Sequence, residues 1–505
     1  MARIVYLTQI EIDHGAVRCL AEECQRAGIR KPLVVTDLGV RAAGVLDQAL
    51  AALGTMPHAV FDQTPSNPTE AAVRAAVEVY KTHGCDGLIA VGGGSSIDLA
   101  KGVAILATHP GNLKSYATIE GGSGRITDAV APLIAVPTTA GTGSEVARGA
   151  ILIIDDGRKL GFHSWFLMPK AAILDPELTL SLPPGLTAAT GMDAIAHCLE
   201  TFMAPAVNPP ADGIALDGLA RGWTHIERAA RDGGDREARW NMMSASMQGA
   251  LAFQKGLGCV HSLSHSLGGV DPRLHHGTLN AMFLPAVVQF NAPAPSMQND
   301  RRLQRIAQAI GLSGCDAAGL ALADAIRALN TRLGLPSGLA AMGVTPELFE
   351  KIIDGAMADH CHKTSPRPAT RADYRSIGRI HVARAPAGRQ AAVELDAVVA
   401  QTGAMRRRRW HCRPSSMPRS TAGGLVDYCA GGGLRCPEQT RVSRVQLAGR
   451  YSRHCALGAA FSACRPPRSR PDGPAAGRQS ASHWPPCPCN RRLGSAASTR
   501  PCRPP

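Results

Sequence analysis

The 505-residue sequence has no run of 18 apolar residues, and its first residues lead quickly into acidic ones. A membrane-spanning helix needs about 20 apolar residues and a signal peptide needs an apolar core, so we expect neither. Seven of the 15 cysteines are scattered through residues 1–378. Scattered cysteines are typical of reduced thiols, and we therefore expect a cytoplasmic protein.

The last 127 residues lack lysine and contain few residues that could form a core. Residues 379–505 hold 22 Arg, five acidic residues and 14 of the 36 Pro, and only about 12% of them are Leu, Ile, Val or Phe. So little apolar content rarely buries a core. This segment carries a net charge of +17, whereas residues 1–378 carry −3. We interpret it as a disordered or frameshifted tail, with a nucleic-acid-binding arm as the alternative, and expect no nucleic-acid partner for the main body.

The rest of the sequence divides into two patterns. In the first, helical stretches such as residues 70–81 alternate with short apolar runs at 31–37, 87–91 and 132–137. This alternation predicts a parallel sheet with helices on both faces. Beyond a Pro/Gly break at 182–185, Ala/Leu/Met-rich stretches predict helices. We expect an α/β domain over residues 1–183 and an all-α domain over 184–378.

Small and hydroxyl-bearing residues follow two of the predicted strands, at 92–98 and 137–145. Glycines let a phosphate approach the backbone closely, and a helix N-terminus attracts its charge. The carboxyl ends of parallel strands share one sheet edge, so the two loops predict a nucleotide site there, with tight turns as the competing interpretation. Asp37, at the end of the first apolar run, could bind a ribose diol, which favours NAD over NADP; an ordinary turn or cap aspartate is the alternative.

Histidines and an aspartate in the second half form a candidate metal site. Asp193 and His197 are four residues apart, which places both on one face of a helix. His261 and His265 repeat this spacing, and a His-His pair follows at 275–276, so residues 261–276 hold four of the 17 histidines. One carboxylate and three imidazoles are suited to Fe²⁺, with Zn²⁺ as the alternative, and leave a position open for substrate.

In their order along the chain, these motifs resemble those of the iron-containing (group III) alcohol dehydrogenases. The matching stretches are 64–69, 92–101, 137–145, 175–179, 191–197 and 261–277. The resemblance runs from near residue 1 to about residue 377. It implies an NAD- and metal-dependent enzyme that interconverts a short-chain primary alcohol and its aldehyde. Within the family, four further stretches are most similar to bacterial members that convert 4-hydroxybutyrate to succinate semialdehyde: 6–8, 116–123, 146–150 and 161–165.

The resemblance also implies roles for individual residues. The metal would be held by Asp193, His197, His261 and His276, while His265 would lie beside the nicotinamide, as a proton relay or as structural support. The implied cofactor contacts are Asp37, Asn67, Gly93, Gly94, Ser95, Asp98, Thr138, Thr139, Thr142, Ser144 and Lys159. A substrate with a carboxylate needs a cation at the far end of the cleft, for which Arg148 is the first candidate, ahead of His163; a surface ion pair is the alternative for Arg148.

Several alternatives stay open at this point. The enzyme could act on another short-chain alcohol, on lactaldehyde or on a glycerol-type polyol, or it could be a metal-dependent lyase similar to dehydroquinate synthase. A damaged, inactive copy of the enzyme is a further possibility, because the tail replaces the usual end of the family's chains. We expect a small alcohol or aldehyde as the partner, no membrane association and a homo-oligomer.

Overall fold

The computed structural model describes residues 8–382 together with Ile4 and Tyr6, with side chains up to Gly378. The tail predicted over residues 379–505 therefore lies outside the described residues, apart from the end of a helix that stops at Val382.

A six-stranded parallel sheet forms the centre of the first half, in the order β1-β8-β5-β4-β2-β3. Its strands are β1 (Gln9–Ile12), β2 (Pro32–Val35), β3 (Ala59–Phe61), β4 (Gly87–Gly92), β5 (Leu133–Pro137) and β8 (Ala171–Leu174). Successive residues of a strand point to opposite faces, so Leu88 and Ala90 join one buried apolar cluster while Ile89 and Val91 join another. Both faces are therefore buried.

Helices cover the two faces of this sheet, as the sequence predicts. They are α1 (Leu20–Arg26), α2 (Leu38–Ala42), α3 (Val45–Leu53), α4 (Glu70–Thr82) and α5 (Gly94–Leu106). Apolar residues of α4 and α5 pack on one face, and those of α1 and α3 pack on the other. Because α5 begins two residues after β4 ends, its N-terminus lies at the sheet edge where β5 also ends.

An antiparallel hairpin that the sequence analysis did not predict follows β5. It consists of β6 (Gly149–Ile153) and β7 (Lys159–His163), whose residues alternate between buried and half-buried. Side chains of α5 hold it, because Lys101 Nζ donates to Gly149 O (2.7 Å) and Asp98 Oδ2 accepts from Ile151 N (2.9 Å).

The second half consists of helices around its own apolar core, which confirms the predicted change of pattern. The helices are α6 (Pro184–Met203), α7 (Pro209–Arg231), α8 (Arg236–Ala252), α9 (Cys259–Val270), α10 (His276–Asn291), α11 (Pro295–Asn299), α12 (Arg302–Ala309), α13 (Leu320–Arg332), α14 (Phe349–Ala358) and α15 (Arg371–Val382). Within the described part of the chain, none of the helices combines the length and apolar character that a membrane crossing requires.

Candidate active site

A cavity of about 570 Å³ lies where the loops after β4 and β5 and the β6–β7 hairpin face α6, α9 and α10. Besides His163, the second candidate for the cation that binds the substrate carboxylate, it is lined by 13 of the 17 other site residues that the sequence analysis names. These are Asn67, Gly94, Ser95, Asp98, Thr142, Ser144, Arg148, Lys159, Asp193, His197, His261, His265 and His276. Residues from distant parts of the sequence thus share one cavity.

Asp193 lies at the centre of the four predicted metal ligands. Asp193 and His197 are one turn apart on α6, His261 comes from α9, and His276 opens α10. Asp193 Oδ1 faces one nitrogen of each histidine, at 3.7 Å for His197 Nδ1, 3.6 Å for His261 Nε2 and 3.7 Å for His276 Nε2. Ligand atoms of Asp193, His197 and His261 all lie within 4.8 Å of one another.

The chemistry of this cluster fits a divalent cation. His197 Nδ1 faces Asp193 but has no hydrogen-bond partner among the described residues. Asp193 is only 2% exposed and His261 only 1%. A buried carboxylate among imidazole nitrogens is costly unless its charge is compensated, and a bound cation supplies that compensation. Carboxylate and imidazole together form a donor set suited to iron or zinc.

Glu200, which the sequence analysis missed, fixes the orientation of His261. Its carboxylate accepts hydrogen bonds from His261 Nδ1 (2.6 Å), His261 N (3.2 Å) and Val260 N (2.8 Å). With the proton on Nδ1, the unprotonated Nε2 faces Asp193, as a metal ligand requires. A signal was present in the sequence, since Asp193, His197 and Glu200 follow an i, i+4, i+7 spacing on one helix face.

Asn280 is a second contributor that the sequence analysis missed. Its Nδ2 donates to Asp193 Oδ1 (2.7 Å) and lies 3.2 Å from both His261 Nε2 and His276 Nε2. Asn280 follows His276 by one turn of α10, so that both side chains lie on the same face. Its amide therefore helps to orient the carboxylate of Asp193.

Burial and mutual charge together determine the pKa values in this cluster. Burial acts to raise the pKa of Asp193, but His197, His276 and His261 hold it below its usual range. Burial lowers the pKa of His197 to about 4 and that of His276 well below its usual value. Burial acts in the same direction on His261, but its bonds to Asp193 and Glu200 raise its pKa to about 9.

Gly277 permits the close contact between α10 and α6 that brings His276 to the cluster. A Cβ atom at this position would lie 2.1 Å from Ala189 O of α6. No side chain fits there without moving one of the two helices, and His276 is the adjacent residue.

The two glycine-containing loops contact each other at the predicted sheet edge. A Cβ atom on Gly94 would lie 2.5 Å from the side chain of Thr142, so the loop after β4 packs directly on the loop after β5. Ser95 Oγ donates to Ser66 O (2.6 Å), and this bond links the loop between β3 and α4 to the start of α5. The free amides at the start of α5 therefore border the cavity, where they could bind a phosphate.

Lys101 holds the wall behind these loops together. Its Nζ, which is fully buried, donates to Ser144 O (2.7 Å), Ser144 Oγ (2.9 Å) and Ala147 O (2.8 Å). Ser144 Oγ in turn donates to Asp98 Oδ1 (2.5 Å). Asp98 and Ser144 line the cavity, but their side chains are bonded to each other, and also to Ile151 N and Lys101 Nζ respectively. Both residues therefore also have a structural role.

Lys159 and Asn67, two predicted cofactor contacts, are bonded to each other. Lys159 Nζ donates to Asn67 Oδ1 (2.9 Å), and Asn67 Nδ2 donates to Pro272 O (2.6 Å). Burial lowers the pKa of Lys159 to about 8, although Asp98 and Asp193 act in the opposite direction.

Four predicted cofactor contacts do not line the cavity, namely Asp37, Gly93, Thr138 and Thr139. They lie nearby at the same sheet edge. Asp37 Oδ1 caps α2 by accepting from Val40 N (3.0 Å), and its Oδ2 accepts from Ser96 Oγ (3.4 Å). Their contact with a cofactor stays a prediction.

His265 is paired with a carboxylate at the cavity wall. Its Nδ1 lies 3.0 Å from Asp359 Oδ2, which leaves Nε2 for another partner. Its ring stacks on that of His276 with a centroid distance of 5.3 Å, next to the candidate metal cluster. Burial acts to raise the pKa of Asp359, yet the nearby His265 holds it below its usual range.

Arg148 lines the cavity without a carboxylate partner among the described residues. Its guanidinium carbon lies 4.6 Å from the ring centroid of Trp165, and the ring holds the side chain in place. Burial lowers the pKa of Arg148, although an arginine stays charged at neutral pH. A half-buried cation without a counter-charge is suited to an anionic group of a ligand.

Comparison with known proteins covers both halves of the chain. The family model described as iron-containing alcohol dehydrogenase matches residues 8–176, and the C-terminal model of the Fe-containing alcohol dehydrogenase family matches residues 187–380. The chain is 68% identical to 4-hydroxybutyrate dehydrogenase of Cupriavidus necator over 381 residues, which is 75% of this chain and 99% of the relative.

More distant relatives, including a solved structure, also match most of this chain. NAD-dependent methanol dehydrogenase of Bacillus methanolicus is 35% identical over 375 residues, covering 72% of this chain and 96% of the relative. Among solved structures, a 1,3-propanediol oxidoreductase matches with a TM-score of 0.70 and 34% identity, over 75% of this chain and all of the other.

Proposed function

The chain belongs to the iron-containing alcohol dehydrogenase family, and on this premise we propose that it interconverts 4-hydroxybutyrate and succinate semialdehyde. It is an NAD- and metal-dependent oxidoreductase that acts on CH–OH groups. The substrate is the proposed part, and the observation that supports it most strongly is the half-buried guanidinium of Arg148 in the cavity wall, with no carboxylate beside it among the described residues.

The side chains of the cluster explain how the alcohol would be held. Asp193, His197, His261 and His276 would hold the cation, and Glu200 keeps His261 in the required tautomer. When bound, the cation supplies Lewis acidity towards the alcohol or aldehyde oxygen, and NAD carries the hydride.

The wall opposite the cluster would position the other end of the substrate. Arg148 presents a planar cation, which can form two parallel hydrogen bonds with a carboxylate. The ring of Trp165 lies against the guanidinium, with a distance of 4.6 Å from its central carbon to the ring centroid, and both side chains line the cavity. A carboxylate at one end of a four-carbon chain would therefore orient the carbon to be oxidised at the other end.

His265 is the proposed carrier of the alcohol proton. Asp359 accepts from its Nδ1, so Nε2 can take up a proton while the carboxylate stabilises the resulting imidazolium. His265 adjoins His276, so the carrier lies next to the place where the alcohol oxygen would bind.

Substitution of Arg148 tests the substrate assignment. In Arg148→Ala, we expect the KM for succinate semialdehyde to rise roughly 10- to 100-fold, because a hydrogen-bonded charge contributes about 1.5–3 kcal/mol. The KM for butyraldehyde, which has the same carbon skeleton without the carboxylate, should change little. Arg30→Ala is the matched control, since that side chain is 90% exposed. An equal change for both aldehydes would contradict the proposed role of Arg148.

We also propose a cytoplasmic location and a homo-oligomer. All seven cysteines among the described residues are free thiols, which suits a reducing compartment. Light scattering of the purified full chain tests the oligomer, and a monomer at micromolar concentration would contradict it.

A further inference from the structure

A second group of metal-binding side chains lies beside the candidate metal site. It comprises His265 of α9 and the three consecutive residues Asp359, His360 and Cys361, which follow α14. Asp359 Oδ2 lies 3.0 Å from His265 Nδ1 and 3.6 Å from His360 Nδ1, and Cys361 Sγ lies 3.4 Å from His360 Nε2. One ligand atom from each residue can be chosen so that all four lie within 4.8 Å of one another.

An ion can bind only one of the two His360 nitrogens, so the fit to a tetrahedral site is judged from the set with one atom from each residue. Zinc bonds of about 2.0–2.3 Å place the ligand atoms of a tetrahedral site roughly 3.3–3.8 Å apart, so pairs at the 4.8 Å limit would have to close by up to about 1.5 Å to complete the site. Asp359 is already oriented, because its Oδ1 accepts from Cys361 N (2.8 Å) and Ser262 Oγ (3.4 Å). Its Oδ2 therefore faces the two imidazoles.

An ion can reach this group from the cavity. His265, His360 and Cys361 all line the cavity wall, although Cys361 is only 2% exposed. The side chain of His360 is 43% exposed, so an ion in the cavity can approach it. The thiol distinguishes this group from the first cluster, whose ligands are one carboxylate and imidazoles.

We propose that His265, Asp359, His360 and Cys361 form a second cation site, which binds a thiophilic divalent ion such as Zn²⁺. Thiolate and imidazole ligands select zinc over harder cations. On binding, the thiol proton of Cys361 passes to solvent, and the ion takes the place of the proton between His265 Nδ1 and Asp359 Oδ2. This second proton moves to His265 Nε2, the nitrogen that would otherwise take up the alcohol proton. His265 is then no longer free to act on substrate, so occupancy of this site inhibits the enzyme.

A titration of the full chain with Co²⁺ tests for the site without relying on activity. Thiolate coordination to Co²⁺ produces a charge-transfer band in the near ultraviolet, which an Asp/His site cannot produce. We expect this band to grow in with the second equivalent of Co²⁺ bound. The band should be missing in Cys361→Ser. In His360→Ala it should require at least tenfold more Co²⁺, because loss of a ligand should weaken metal binding at least as much as loss of a group that only orients a ligand.

The matched control is Cys315→Ser, which removes a half-buried thiol that does not line the cavity and should leave the band unchanged. The eight cysteines after residue 378 are common to all these proteins, so any contribution from them cancels in the difference spectra. A band of equal intensity in the wild-type protein and Cys361→Ser, or no band at all, would overturn the proposal.

A second measurement tests whether an ion at this site inhibits the enzyme. This part of the proposal rests on the function proposed above. Zn²⁺ added to the Fe²⁺-loaded full chain should slow NADH oxidation, and His360→Ala should require at least tenfold more Zn²⁺ for the same effect. Equal inhibition of both proteins would place the inhibitory ion elsewhere and contradict this part of the proposal. If neither protein oxidises NADH, the Co²⁺ titration still decides whether the site exists.

Discussion

Replacing Glu200 with glutamine should weaken metal binding without unfolding the protein. The wild-type carboxylate accepts three hydrogen bonds, of which the one from His261 Nδ1 is the shortest, at 2.6 Å. Glutamine can keep its oxygen for Val260 N, which bonds to Oε1, and then presents an NH₂ group in place of Oε2, towards both His261 N and the imidazole. His261 would then accept at Nδ1 and carry its proton on Nε2, which faces Asp193, and in that tautomer Nε2 cannot bind a cation.

The size of the effect follows from the role of Glu200. Groups that orient a metal-binding histidine typically contribute a factor of 10–100 in metal affinity, or about 1.4–2.7 kcal/mol. Competition with a chelator of known affinity measures this factor, using Co²⁺ as the probe and the full chain as the protein. Circular dichroism checks that the variant is folded.

Glu237→Gln is the matched control for this experiment. Glu237 pairs with Arg228 at the surface, where its side chain is 68% exposed, so its loss should leave the Co²⁺ affinity unchanged. If Glu200→Gln binds Co²⁺ as tightly as the wild-type protein, Glu200 does not set the tautomer of His261 and this reasoning is refuted.

Three further substitutions test other parts of the account. Gly277→Ala should displace His276 and lower Co²⁺ affinity at least tenfold, because its methyl group would lie 2.1 Å from Ala189 O; unchanged affinity in the same chelator assay would contradict this. Lys101→Met should lower the free energy of unfolding by roughly 3–5 kcal/mol, seen as a lower thermal midpoint, because it leaves three carbonyls without their donor and the buried Asp98 without the positive charge beside it. Burial raises the pKa of Glu145 from 4.5 to about 7, so the folded state retains a proton that the unfolded chain has lost, and stability should fall by at most about 3 kcal/mol as pH rises through this interval. The thermal midpoint of the wild-type protein, taken relative to that of Glu145→Gln at each pH, should therefore fall between pH 4.5 and 7, and a constant difference would contradict the assignment to Glu145.

Features that depend on local pattern could be predicted from the sequence. The run at 87–91 is buried on both faces in β4, and the glycines after it open α5 at the sheet edge. Asp193 and His197 share a helix face because four residues complete about one turn. The family and its cofactors, NAD and iron, are confirmed by the comparisons.

Features that depend on long-range packing could not be predicted in this way. The β6–β7 hairpin consists of five-residue strands with only partial burial, and it is held by Lys101 and Asp98 of α5 rather than by a local signal. Asp359 caps a short 3-10 helix (His360–Thr364) that His360 and Cys361 open, and the packing of this helix and of α14 on α9 brings the three residues to His265. Glu200 did have a helical signal, but its function depends on the arrival of His261 from another helix.

Turnover by the full 505-residue chain is the most direct test of the central claim. NADH oxidation with succinate semialdehyde would be followed after metal removal and again after anaerobic addition of Fe²⁺. We predict no turnover without metal and recovery with Fe²⁺. The KM for succinate semialdehyde should be much lower than the KM for butyraldehyde. A protein that binds Fe²⁺ and NADH but does not reduce succinate semialdehyde, or that reduces both aldehydes with equal KM, would contradict it.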